Sequence, residues 1–71
     1  MGKKVYQIKV KEILDDSWAD WFVDMNLSII QDTEGNSISV LTGPVADQAE
    51  LNGILTKIWN LNLTVLSVEQ L

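Results

Sequence analysis

The chain has no cysteine, no histidine and no arginine. Without cysteine there is no disulfide, no thiolate zinc site and no iron–sulfur cluster. Without histidine the commonest general base and metal ligand is missing. Without arginine there is no planar fork to grip a carboxylate or phosphate bidentately. No apolar run is long enough to span a bilayer, and the N-terminus lacks the apolar core of a signal peptide. These absences point to a cytoplasmic protein that uses no cofactor. A chain of 71 residues sits near the lower size limit for an unassisted hydrophobic core. Packing or self-association must supply what disulfides and metals do not.

The net charge of −5 is unevenly spread. Lys3, Lys4, Lys9 and Lys11 stand at the start, Lys57 is the only later cation, and all ten acids follow from Glu12 onward. An acidic surface repels nucleic acid and anionic membranes, so neither is expected as a partner.

The stretch from Gly43 to Leu63 organises the rest. Asp47 is an N-cap, and Glu50, three residues on, completes a capping box by reaching back to the Asp47 amide. Leu51, Ile54, Leu55, Ile58 and Leu61 recur at helical spacing. Asn62 tolerates the left-handed conformation that ends many helices. The pattern predicts a helix over 47–61. Its other face holds Ala49, Asn52, Gly53, Thr56 and Asn60, all small or uncharged, where solvated helices usually carry Lys and Glu.

Upstream, residues 5–12 alternate, with Tyr6, Ile8 and Val10 on one side and Val5, Gln7, Lys9 and Lys11 on the other, as in a half-buried strand. Asp15, Asp16 and Ser17 form a cap cluster, and Trp18, Trp21, Phe22 and Met25 follow at helical spacing. They predict a short helix over 16–25, ended by Asn26 and packed on the core through its aromatics. Asp16, Asp20 and Asp24 lie on its outer side. They read as a solvated acidic face, because no glycine-punctuated ligand loop accompanies them.

Residues 27–33 and 37–42 read as a hairpin turning at Glu34-Gly35-Asn36, with Ile38 and Val40 inward and Ser39 and Leu41 outward. Gly43 and Pro44 are expected to break the second strand. Residues 63–68 form the last strand. The order strand, helix, strand, strand, helix, strand, with the echo Asn26-Leu27 and Asn62-Leu63, predicts a single α+β domain over 1–71. Its fold is a ferredoxin-like βαββαβ arrangement, a four-stranded antiparallel sheet with two helices on one face. The first strand should pair with the third and fourth.

Function must come from residues, not from topology. The outward residues hold no aromatic on which a base could stack, as RNA-binding domains of this topology require. Metal-transfer domains need a cysteine pair, and acylphosphatase-like enzymes need an arginine. No base–nucleophile set is visible, so no enzyme is expected. Amino-acid-sensing regulatory domains share topology and length, but the loop at Glu12-Ile13-Leu14-Asp15-Asp16 lacks the glycine often found there.

Across nearly its whole length the chain resembles a set of short, uncharacterised prokaryotic proteins. The shared pattern is Trp18, Trp21 and Phe22 after an acidic cap, then Gly43, then Asp47-Gln48-Ala49 with Leu51, Gly53 and Leu55, then Leu66-Ser67-Val68. Related chains often carry His before the helix glycine and Arg near the helix end, where this chain has Asn52 and Trp59. The resemblance implies the ferredoxin-like topology and no assigned activity.

Two functional readings follow. The first is a small interaction or regulatory module that self-associates as a homodimer. Its first-choice surface is the open sheet face, with Val5, Leu41 and Val65. Its second is the helix face at Ala49 and Gly53, with Trp59 placed at the core edge. The alternative is a small-molecule-binding domain, akin to the amino-acid sensors, with its site at a dimer interface.

Overall fold

The computed structural model describes residues 2–15, 17–18, 22 and 24–71. Its elements are β1 (Lys4–Val10), β2 (Asn26–Gln31), β3 (Ser37–Val45), α1 (Gln48–Asn60) and β4 (Val65–Gln70). The strands form one antiparallel sheet in the order β2-β3-β1-β4. β1 pairs with β3 and β4, as the sequence pattern predicts. α1 is the one α-helix among the described residues. The helix predicted over 16–25 includes Asp16, Ala19, Asp20, Trp21 and Val23, which lie outside the described residues.

α1 forms where its start, stripe and stop signals place it. The Glu50 amide donates to Asp47 Oδ1 at 2.9 Å. Glu50 also reaches back, but to the Ala46 amide at 3.2 Å, one residue before the position the capping box predicts. Leu51 and Ile58 are buried, and Ile54 and Leu55 pack beside them. At the far end the Leu63 amide donates to the Ile58 carbonyl and the Asn62 amide to the Trp59 carbonyl. Asn62 has φ 61°. This is a Schellman closure, in which two orphan carbonyls of the last turn find donors and Leu63 folds back towards Ile58. Asn26 does not repeat it. It opens β2 and takes no positive φ, so the echo between the two Asn-Leu pairs is one of sequence only.

The core lies on one side of the sheet. Tyr6, Ile8 and Val10 of β1 meet Leu14, Phe22, Leu51 and Ile58, with Trp18 and Met25 packed at the margin. β3 departs from the predicted alternation. In register, Lys4 faces Val45, Tyr6 faces Gly43, Ile8 faces Leu41 and Val10 faces Ser39. The core side of β3 is therefore Ser39, Leu41, Gly43 and Val45. Leu41 is 1% exposed, so it is a core residue and not part of an open face. Val65 is likewise half-buried against the core. Between Val65 and Ser67 the β1–β4 register shifts by a bulge, which turns Val65 towards the helix side.

The reversed parity has a physical cause. Ser39 is fully buried, and its hydroxyl is spent on the chain that crosses above it. Ser39 Oγ donates to the Glu12 carbonyl at 2.7 Å and accepts from the Leu14 amide at 2.8 Å. A polar residue on the core face is tolerated when both its hydrogen-bonding functions are satisfied. Gly43 supplies the second crossing point. A Cβ there would overlap the Asp24 carbonyl oxygen and stand 2.7 Å from Met25 Sδ. The two small residues of β3 are thus the places where the β1–β2 connection lies directly on the sheet.

β3 also runs on through Gly43 and Pro44, where the sequence predicts a break. Val5, opposite Pro44, accepts from the Leu71 amide at 2.8 Å. Its backbone polar groups therefore face β4, and Pro44 sits at a non-hydrogen-bonded position where its missing N–H costs nothing on that side. β2 begins only at Asn26, opposite Thr42, so the other side of Pro44 has no ladder to break.

Gly43→Ala should lower stability by about 1–3 kcal/mol, the usual range for forcing an extra carbon into a packed contact. Chemical denaturation checks this. An unchanged midpoint would show that the 24–25 backbone does not rest on β3.

Candidate interaction surface

The residues proposed from sequence for an interface do not come together. Leu41 and Val65 belong to the core side. Of that first set only Val5 is exposed. The open face is built instead from Val5, Gln7 and Lys9 of β1, Ile38, Val40, Thr42 and Pro44 of β3, and Ser28 and Ile30 of β2, as the registers require. None of these is aromatic. Ile38 and Val40 are buried although they point to this side. They lie on the middle of the sheet, flanked in register by Ile30 and by Ser28 and Lys9. Ile30 at 40% and Leu66 at 49% are open to solvent. The reversed parity of β3 puts Ile30 on this side, and the bulge in β4 puts Leu66 there.

The second surface is the outer side of α1. Ala49, Asn52, Gly53, Thr56 and Asn60 are all exposed, and a Cβ at Gly53 would meet no atom within 4 Å. Trp59 is 58% exposed. It is a surface residue, not the core-edge residue expected. At 100° per residue the helix stripe centred on Leu51, Ile54, Leu55 and Ile58 leaves it outside, and the Schellman turn brings Leu63 to the margin of the core.

At the end of β1 a third cluster ties three segments together. Glu12 Oε1 accepts from the Thr64 amide at 2.6 Å and Oε2 from the Thr64 hydroxyl at 2.9 Å. The Lys11 amide donates to the Thr64 carbonyl at 3.0 Å. The Thr64 amide, more than its hydroxyl, holds the Glu12 carboxyl below the usual carboxylate range. Asp15 is lowered too, by the Ser17 hydroxyl and then the Ser17 amide. Both carboxylates do structural work at turns.

The β2–β3 turn is organised by Asp32, a role the sequence reading missed. Asp32 Oδ1 accepts from the Glu34 and Asn36 amides, each at 2.9 Å, while Gly35 takes φ 85°. The signal was an Asp before a Gly, which caps a turn through its own side chain. Beside this turn lies an open cavity of about 440 Å³, lined by Lys11, Asp32, Asn36, Ser37, Ile38 and Leu66.

Asp16 and Asp20 of the acidic triplet lie outside the described residues, and Asp24 is exposed. Among the described residues no three acids stand close enough to hold a metal ion, and no helix is long and apolar enough to cross a membrane.

Replacing Glu12 tests the cluster. Its lowered pKa means stability that is complete above the unfolded-state value and is lost as pH falls through the folded-state value. Glu12→Gln should therefore lower the melting temperature near neutral pH, and the gap to wild type should close as the pH drops through the acid range. A gap independent of pH would show that the charge on Glu12 is not what Thr64 stabilises.

No curated protein and no solved structure matches the chain. Residues 5–69 match the family described as Domain of unknown function (DUF8691), and the chain belongs to that family.

Proposed function

We propose that the protein is a small interaction module that self-associates as a homodimer in the cytoplasm, with no catalytic activity and with no nucleic acid or membrane as partner. The observation that carries this reading is the uncovered apolar surface of the sheet. Ile30 and Leu66 stand exposed beside the buried Ile38 and Val40, and Val5 stands exposed towards the far end of the same face, opposite Pro44; among the described residues the one helix packs on the other side. Exposed apolar patches on small domains mark contact surfaces, and a chain of this size without disulfide or metal gains stability from pairing. The acidic balance and the missing histidine, cysteine and arginine support the exclusions. Small secreted domains are usually rich in disulfides, which supports the cytoplasmic setting of a chain that has none. The strand order β2-β3-β1-β4 supports a ferredoxin-like arrangement, with the segment over 16–25 as the first of two helices on the core side.

A second reading, a small-molecule site akin to that of amino-acid sensors at a dimer interface, is favoured by the cavity at Lys11, Asp32, Asn36 and Ser37. Its volume is within the range of ligand pockets, about 300–1,000 Å³, and it mixes one cation and one carboxylate with amide and hydroxyl groups. Sedimentation equilibrium from micromolar to millimolar concentration tests the first reading. The expected mass rises from the 8.0 kDa of one chain to twice that. A single-chain mass throughout removes the dimer. Repeating the runs with free amino acids separates the two readings, because a ligand bound at the interface shifts the equilibrium and a bystander does not.

A further inference from the structure

The two outer strands of the sheet are unlike each other. β4 carries Glu69 and a bulge between Val65 and Ser67, both devices that discourage another strand from adding. β2 carries none. Its sequence Asn26-Leu27-Ser28-Ile29-Ile30-Gln31 has no charge and no proline, and its pairing with β3 is regular along its whole length. Ile29 at 48% and Ile30 are both exposed, one on each face of the sheet. Among the described residues no strand lies on its outer side.

The phase of its free hydrogen-bonding groups can be read. The Asp32 amide donates to the Asn36 carbonyl at 2.8 Å, so residue 32 points its backbone groups at β3. By alternation Asn26, Ser28 and Ile30 do the same, and Leu27, Ile29 and Gln31 point theirs outward. A neutral six-residue edge whose outward donors and acceptors pair with no strand among the described residues is a template for another strand.

We infer that the partner on this edge is the β2 strand of a second copy, paired antiparallel across a two-fold axis through Ile29. The inference rests on the self-association proposed above, and places its contact at the sheet edge beside the open face instead of on that face. With the axis at Ile29 and perpendicular to the sheet, Ile29 meets its symmetry mate, Leu27 meets Gln31 of the partner subunit, and Gln31 meets Leu27 of the partner subunit. Each of these residues points its N–H and C=O outward, so every pair exchanges two hydrogen bonds. The helices of both copies stay on one side, and the two sheets become one of eight strands. Ile30 of each copy then lies opposite Ser28 of the partner subunit on the open face, joining the two apolar surfaces.

Charge favours the same choice. Each chain carries a net −5, and a contact between copies must avoid setting acids against acids. β2 is free of them, while Asp24, Asp32 and Glu34 flank it. Added salt should therefore strengthen the dimer, because it screens the flanking repulsion and leaves the neutral contact intact.

The test combines sedimentation with amide exchange followed by NMR. In a dimer of this kind the Leu27, Ile29 and Gln31 amides exchange quickly in dilute samples and slow as concentration rises, while the Ile30 amide is protected throughout. Ile29→Lys places two ammonium groups at the axis and should weaken dimerisation by at least about tenfold, with the monomer's melting temperature close to wild type. A dimer whose three outward amides exchange at one fast rate at every concentration overturns the edge pairing and leaves self-association at another surface. A monomer at every concentration overturns both. The exchange measurement needs only the wild-type chain, so it decides even where the lysine variant fails to fold.

Discussion

One hydroxyl, that of Ser39, ties the chain that leaves β1 back onto the sheet. It is fully buried on the core face of the central strand β3. Through it the connection after β1 is tied down at two backbone groups, the Glu12 carbonyl and the Leu14 amide. Glu12 in turn uses its carboxylate to hold Thr64, just before β4. Three segments far apart in sequence are thus joined at one end of the sheet through one serine and one glutamate. Loss of the hydroxyl would strand a buried donor and acceptor, a costlier event than the loss of an exposed hydrogen bond. Two residues further along the core side of β3 lies Leu41, and two beyond that Gly43, on which the chain at 24–25 rests. The alternation of small and large residues on this strand therefore records where backbone crosses it and where side chains fill the core.

The parts of the fold legible in the sequence are those set by local rules. The helix start at Asp47, its buried stripe and its end at Asn62 all depend on neighbours within a turn, and each stands where the pattern puts it. The alternation of β1 was equally plain, because Lys9 and Lys11 mark the wet side. β3 was misread for a reason of the opposite kind. Polarity alone assigns Ser39 outward and its apolar neighbours inward, and only a partner 25 residues away, the Leu14 amide, makes the inward serine acceptable. Gly43 and Pro44 look like a strand end by composition. Their tolerance comes from long-range register, since the proline falls at a position that needs no donor. Leu41 left the candidate surface with that parity and Val65 with the bulge in β4, while Ile30 and Leu66 entered it.

The surface follows a similar division. Charge is concentrated at turns and at the flanks of strands, where Glu12, Asp15, Asp32 and Asp47 accept from backbone amides. These acids are occupied in closing the chain's own turns and caps. What remains uncharged is the outer edge of β2, the apolar part of the open face beside it, and the small-residue side of α1. A domain with a small core can leave such surfaces bare only at some cost in solubility, which is the physical ground for reading them as contacts.

The crossing chain is fastened to β3 through Ser39, and the Leu14 amide reports on that fastening. Its hydrogen exchange should occur only through global unfolding, with the same denaturant dependence as the Ile8 amide in the middle of the core strand. Exchange of the Leu14 amide at the rate of an exposed loop, while Ile8 stays protected, would show that Ser39 does not hold the crossing chain.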